Sequence, residues 1–176
     1  MSKGSRVLIA ATAVGLLVPT VGSPTPASTR QRTVPCSESI DVTRFPYIGS
    51  NDPKGRYRLV LAAVSVPPAH VEQIVRNGTE PWLYFFKAGL VIRAKGQSVL
   101  VTVPPAWRGR AAIAWGNGGN GVFGRLRFAG CKAVRDEGFA YAGGFYLRSA
   151  GGCLPLTFRV GRRTATVRFG LGRRCT

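Results

Sequence analysis

Histidine occurs once in this sequence, at position 70, and acidic side chains occur only seven times. Both scarcities narrow the chemistry. One imidazole cannot build a multi-histidine metal site, and seven carboxylates give it few acid–base partners. There is no CxxC pair, so the common zinc spacings are missing. A GxSxG nucleophile elbow is missing too. Helical periodicity is lacking: apolar residues recur in short runs cut by 23 glycines and 12 prolines. The uncharged run Val7–Val18 has 12 residues, against the ~20 that a bilayer span takes.

That run belongs to an ordered opening. Lys3 and Arg6 precede it, and the Pro/Ser/Thr-rich stretch Pro19 to Thr29 follows. Positive, apolar and small-polar zones in this order predict a secretory signal peptide over residues 1–27, cut after Ala27. Residues 28–35 are expected to form a flexible N-terminal segment, and residues 36–176 one domain with no transmembrane span. An exported chain, extracellular or cell-wall associated, meets oxidising conditions. Its four cysteines, Cys36, Cys131, Cys153 and Cys175, then read as two disulfides. Three pairings are open. We favour Cys131–Cys153, bracketing one hairpin-like segment, with Cys36–Cys175 tying the ends. Paired thiols leave no thiolate nucleophile. Neither a metal nor a cofactor is expected.

Charge is what the sequence has in excess. It carries 25 Lys and Arg against 7 Asp and Glu, and loss of Lys3 and Arg6 leaves a net +16. Arginine supplies 20 of the 25. With abundant Ala, Gly and Val, that ratio points to a GC-rich genome, which accounts for part of the bias. A field of this strength still attracts polyanions. Outside a cell these are teichoic acids, anionic lipids, acidic polysaccharides and released nucleic acid, the last without sequence-specific recognition.

Short alternating runs separated by Gly or Pro predict an all-β domain: an immunoglobulin-like β-sandwich of about eight strands, with a jelly roll or small barrel as alternatives. Arg56 to Val66 reads as one strand, with Tyr57, Leu59, Leu61 and Ala63 on one face and Arg56, Arg58 and Val60 on the other. His70 to Arg76 reads as a loop or one helical turn, and Asn77-Gly78 as a turn. Gly116 to Gly121 reads as a hairpin loop, since it lacks the Lys and helix of a phosphate cradle. Leu154–Val160 and Thr164–Leu171 read as a closing hairpin. A two-residue loop at Arg162-Arg163 keeps Phe158 and Val160 on one face with Val167 and Phe169. It sets Arg159 opposite Thr166, and Thr157 opposite Arg168.

The stretches VTVPPAWRGRAAIAWGN (101–117), YAGGFYLRSAGGCLPLTFRVGRR (141–163) and ATVRFGLGRRC (165–175) resemble a group of small exported actinobacterial proteins with no assigned activity. The resemblance covers about the C-terminal half. It implies no mechanism and no site residues.

On the expected strands Arg58, Arg125, Arg127, Arg159 and Arg168 alternate with apolar residues, and Arg162, Arg163, Arg173 and Arg174 add charge at loop ends. An Arg-rich sheet face of this kind binds phosphates or carboxylates bidentately. The expectation is therefore a secreted, non-enzymatic binding module for an anionic polymer or a protein partner. A structural envelope protein is the first alternative. A hydrolase pairing Glu38 or Asp41 with Asp136 or Glu137 is the second, and would need those carboxyls ~5–9.5 Å apart. Trp82, Trp107, Trp115, Tyr141 and Tyr146 are candidates for a sugar-stacking platform. Trp115 is expected in the core and Trp107 at the surface.

Overall fold

β-Branched and aromatic residues punctuated by Gly and Pro build strands and little else. The computed structural model describes residues 30–49, 56–72, 74–93, 95–116, 121–134 and 136–176. The expected signal peptide and residues 28–29 lie outside them. The first eight strands are β1 (Gln31–Val34), β2 (Asp41–Arg44), β3 (Arg58–Val60), β4 (Val64–Val66), β5 (His70–Val71), β6 (Ile74–Thr79), β7 (Trp82–Lys87) and β8 (Leu90–Ile92). There follow β9 (Val99–Thr102), β10 (Ala111–Trp115), β11 (Arg125–Phe128), β12 (Glu137–Tyr141), β13 (Gly143–Leu147), β14 (Gly152–Val160) and β15 (Arg163–Leu171).

The strands form three sheets in a sandwich-like, all-β arrangement with no closed barrel. The six-stranded sheet has the order β1-β11-β9-β14-β15-β5, the four-stranded β10-β13-β7-β6, and the five-stranded β2-β12-β8-β4-β3. One core joins them. Phe145 of β13 packs on Phe169 of β15 with ring centroids 5.0 Å apart, and Phe128 of β11 on Tyr141 of β12 at 4.9 Å. Trp115 is buried as expected, its indole N–H donating to the Ala88 carbonyl at 2.7 Å.

The described residues hold fifteen strands rather than about eight because several apolar runs are folded into tight pairs. The expected strand Arg56–Val66 is a hairpin. Leu61 and Ala62 turn it, both at φ +54°, and the Ala63 N–H donates to the Val60 carbonyl at 3.0 Å. No Gly or Asn marks this turn, so sequence punctuation missed it. The facing is reversed as well: Val60 is buried, whereas Leu59 is 52% exposed. His70 lies in β5 rather than in a loop or helical turn, and the turn expected at Asn77-Gly78 falls within β6, where the pairing with β7 shifts between Arg76 and Thr79. The expected flexible segment carries β1, paired in parallel with β11 so that buried Val34 meets Phe128. Of the Gly116–Gly121 loop, residues 117–120 lie outside the described residues. Ile113 and Phe123 pair antiparallel on either side of it, as a chain reversal requires.

Both favoured cysteine pairings are corrected. The disulfides are Cys36–Cys131 and Cys153–Cys175. The parallel β1–β11 pair sends both chains out at the same end, and so brings Cys36 and Cys131 to a Cα separation of 5.8 Å. After β15 the chain doubles back over Gly170, where a Cβ would meet the Arg173 carbonyl and the Arg174 Cα. Gly170 is the partner of Cys153 in the ladder, so Cys175 arrives beside Cys153.

The closing hairpin has a two-residue loop, but at Gly161-Arg162: Val160 pairs with Arg163, and Arg159 with Thr164. Gly161 supplies the positive φ, +56°, that a two-residue hairpin turn needs at its first position. The register therefore differs by two residues from the expected one. A two-residue shift keeps every side chain on its face, so Phe158, Val160, Val167 and Phe169 still share a side.

Candidate functional site

Register fixes which side of the six-stranded sheet faces out. Leu126, Val101, Phe158 and Ala165 form an inward row across β11, β9, β14 and β15. Their strand neighbours point the other way. Arg125, Thr102, Thr157 and Thr166 make one outward row, and Arg127, Leu100, Arg159 and Thr164 the next. Arg168, opposite Pro155, begins a third. Four of the five strand arginines thus share one face: Arg125, Arg127, Arg159 and Arg168. Arg125, Arg159 and Arg168 are exposed, and Arg127 is half-buried, donating to the Ser98 hydroxyl at 3.3 Å.

Strand spacing sets the grain of this surface. Arg125 and Arg127 lie ~7 Å apart along β11, and Arg127 and Arg159 sit two strands apart, ~10 Å. These separations are close to one Debye length at physiological salt, so the charges act on a ligand together. No Asp or Glu occupies the outward rows. Thr102, Thr157 and Thr166 continue the row from Arg125, Leu100 stands between Arg127 and Arg159, and the Thr157 and Thr166 hydroxyls lie 3.3 Å apart. Sequence reasoning found the arginines but missed the threonines. Their signal was the alternation Thr164-Ala165-Thr166-Val167-Arg168.

Arg58, Arg162 and Arg163 are placed differently. Arg162 sits in the hairpin turn, and Arg163 pairs with Val160 on the inward parity at the open end of the sheet. Arg58 stands between sheets, not on the outward face. Its guanidinium lies 4.9 Å from the centroid of the Phe169 ring. Its Nε donates to the Pro67 carbonyl at 3.2 Å, and its Nη2 to the Pro68 and Arg168 carbonyls at 3.4 and 3.3 Å. Burial lowers its pKa, the charged form being the one desolvation penalises.

Beside the outward face lies an open groove of about 1030 Å³ between β15 and β3. Leu59, His70, Thr166, Arg168 and Arg174 are among its lining residues. His70 is tied down: Nδ1 is 3.2 Å from the Gly170 carbonyl, and Nε2 is 3.3 Å from the Glu72 carboxylate. The lining residues include no serine, and Cys175 is in a disulfide.

The carboxylates expected of a hydrolase are each engaged or separated. Glu38 is ion-paired with Arg32, and Asp136 lies 3.5 Å from Arg93. In the β2–β12 ladder Glu137 pairs with Arg44, and Asp41 pairs with Ala140, three residues further on. An odd separation puts Asp41 and Glu137 on opposite faces. The five aromatic candidates do not share one surface. Trp82, Trp115 and Tyr141 are buried, Trp107 is half-buried with Arg110 over its ring at 4.8 Å, and Tyr146 is half-buried against Phe85 with ring centroids 4.6 Å apart. Burial, followed by the nearby Glu38 charge, pushes the Tyr141 phenol up to about 12. Exposed large apolar residues are divided among β2 (Val42), β3 (Leu59), β6 (Ile74, Val75) and connecting loops.

Among the described residues no group of three or more His, Cys, Asp or Glu could hold a metal ion, and no helix is long and apolar enough to cross a membrane. Comparison with family models, curated proteins and solved structures finds no match to this chain, so its outward sheet face and the adjoining groove are what bear on function.

Proposed function

We propose that this protein is an exported, non-enzymatic binding module, of the actinobacterial kind its C-terminal half resembles. In this reading the outward face of the six-stranded sheet takes anionic polymers of the cell exterior, such as teichoic acids or acidic polysaccharides. One observation carries it: Arg125, Arg127, Arg159 and Arg168 share a face whose outward rows hold no carboxylate. The strand positions of Arg125, Arg127 and Arg159, ~7 Å apart along a strand and ~10 Å across two, suit a repeating anion rather than one small ligand. The two disulfides fit an oxidising compartment. Titration of teichoic acid, heparin and duplex DNA at about 50 mM salt tests the reading. Binding that weakens steeply with salt is expected, and no binding to any of the three overturns it.

A further inference from the structure

The side of β15 away from β14 is mostly open. Only Gly170 and Leu171 are paired there, with His70 and Val71 of β5. The Gly170 N–H donates to the Ala69 carbonyl at 2.7 Å, and the Gly172 N–H to the Val71 carbonyl at 3.0 Å. The Arg168 carbonyl accepts from Arg58 on the same side at 3.3 Å. Even-numbered residues therefore direct their backbone polar groups to this edge. By the alternation of a strand, Thr164 and Thr166 offer both N–H and C=O there, and Arg168 offers its N–H. Among the described residues no strand pairs with them. Across the groove, β3 is the end strand of its own sheet: among the described residues Arg58–Val60 pair with β4 alone, while just before them the Tyr57 N–H donates to the Ile48 carbonyl at 3.0 Å. The groove is thus a slot with an unpaired sheet edge on each side.

We propose that this slot takes an extended acidic segment of a partner protein, which joins β15 as an added strand along Thr164–Arg168. Five residues of edge span ~17 Å, room for a short strand. The side chains of β15 set the pattern of that segment. Residues beside the outward row meet Thr164, Thr166 and Arg168, with Arg174 nearby, and carry carboxylates. Residues beside Ala165 and Val167 face the slot's apolar wall of Leu59 and Val60, and are small and apolar. Charge selects an acidic partner over a second copy. The lining has Arg58, Arg168 and Arg174 against Glu72, and two domains near +16 repel each other. This inference stands apart from the polymer reading, since it needs the backbone edge.

The test uses the disulfide-bonded protein and a fluorescent eight-residue peptide alternating Glu and Val. Three comparisons accompany it: the same peptide N-methylated on alternate amides, polyglutamate of equal charge, and the variant Thr166→Pro. Proline at 166 removes an N–H that serves only the open edge, so the β14–β15 ladder keeps its bonds. We expect saturable binding of the Glu/Val peptide, at least tenfold weaker after N-methylation and at least tenfold weaker in Thr166→Pro. N-methylation alters the peptide and not the protein, so heparin binding by the unaltered protein reads the polymer face independently, which separates this inference from the polymer reading. Equal binding of the N-methylated peptide or of polyglutamate overturns the proposal. So does a solution dimer that Thr166→Pro dissolves, because the edge would then belong to a second copy. If Thr166→Pro does not fold, the N-methylated peptide on the unaltered protein decides.

Discussion

In the five-stranded sheet β4 and β8 are buried on both faces, whereas in the six-stranded sheet β9 and β14 are buried on one face and partly open on the other. The cause is a loop. The segment after β2 crosses the back of the five-stranded sheet, where the Tyr47 N–H donates to the Ser65 hydroxyl at 3.0 Å and buried Phe45 packs near Gly138 and Val91. Nothing among the described residues covers the six-stranded sheet in the same way. Arginine is sorted accordingly. Beside the covered sheet Arg93 stacks on Phe45 at 4.8 Å and faces Asp136, while Arg58 at its end is held by three carbonyls. On the bare sheet Arg125, Arg127, Arg159 and Arg168 meet no carboxylate. One residue type thus does two jobs, and the covering of the sheet face decides which.

The strongest way to break this contrast is to uncover the covered sheet. Phe45→Ala should cost about 3 kcal/mol in urea unfolding, by removing a buried ring that Arg93 also uses, and should leave polymer affinity unchanged. On the bare sheet the reverse holds. Replacing Arg125, Arg127, Arg159 and Arg168 together by Ser should weaken heparin binding about a hundredfold at low salt, read by titration, with little loss of stability. Arg58→Ala tests the sorting itself: about 1–2 kcal/mol of stability should go, with the salt dependence of binding intact. A smaller effect of opposite sign is expected at the β3–β4 turn. Ala62 is exposed at φ +54°, so Ala62→Gly should stabilise by about 1 kcal/mol in the same assay.

Alkaline titration probes the junction between the two sheets, where Tyr141 packs on Phe128. The folded phenol pKa, about 12, lies above its usual 10.0, so the protonated form is the one the fold favours. Its stabilising effect is complete below pH 10 and is lost as pH rises through about 12. Tyrosinate absorbance should show this group titrating late, and together with unfolding.

The all-β class and the facing of the closing hairpin were legible because alternation is local. Phe158, Val160, Val167 and Phe169 declare their side whichever even register the turn selects. The register itself depended on Gly161, whose positive φ moved the loop by one position along each strand. The turn at Leu61-Ala62 was illegible, since neither residue favours the left-handed region and packing imposes it. Disulfide connectivity was illegible for a different reason. It follows from a parallel β1–β11 pairing between segments about 95 residues apart, which no local pattern encodes. At the candidate site, alternation marked Arg125, Arg127, Arg159 and Arg168 correctly, because their strands run true. It could not show that Arg58 is drawn between sheets, nor that the far edge of β15 is open.

The most direct test of the sorting is the salt dependence of heparin affinity for the unaltered protein, for the Arg125/Arg127/Arg159/Arg168→Ser variant and for Arg58→Ala. The slope of log K against log salt should fall by about three to four in the fourfold variant and stay the same in Arg58→Ala. Equal slopes for all three proteins would contradict the sorting, since the polymer would then bind elsewhere and not on the bare sheet face.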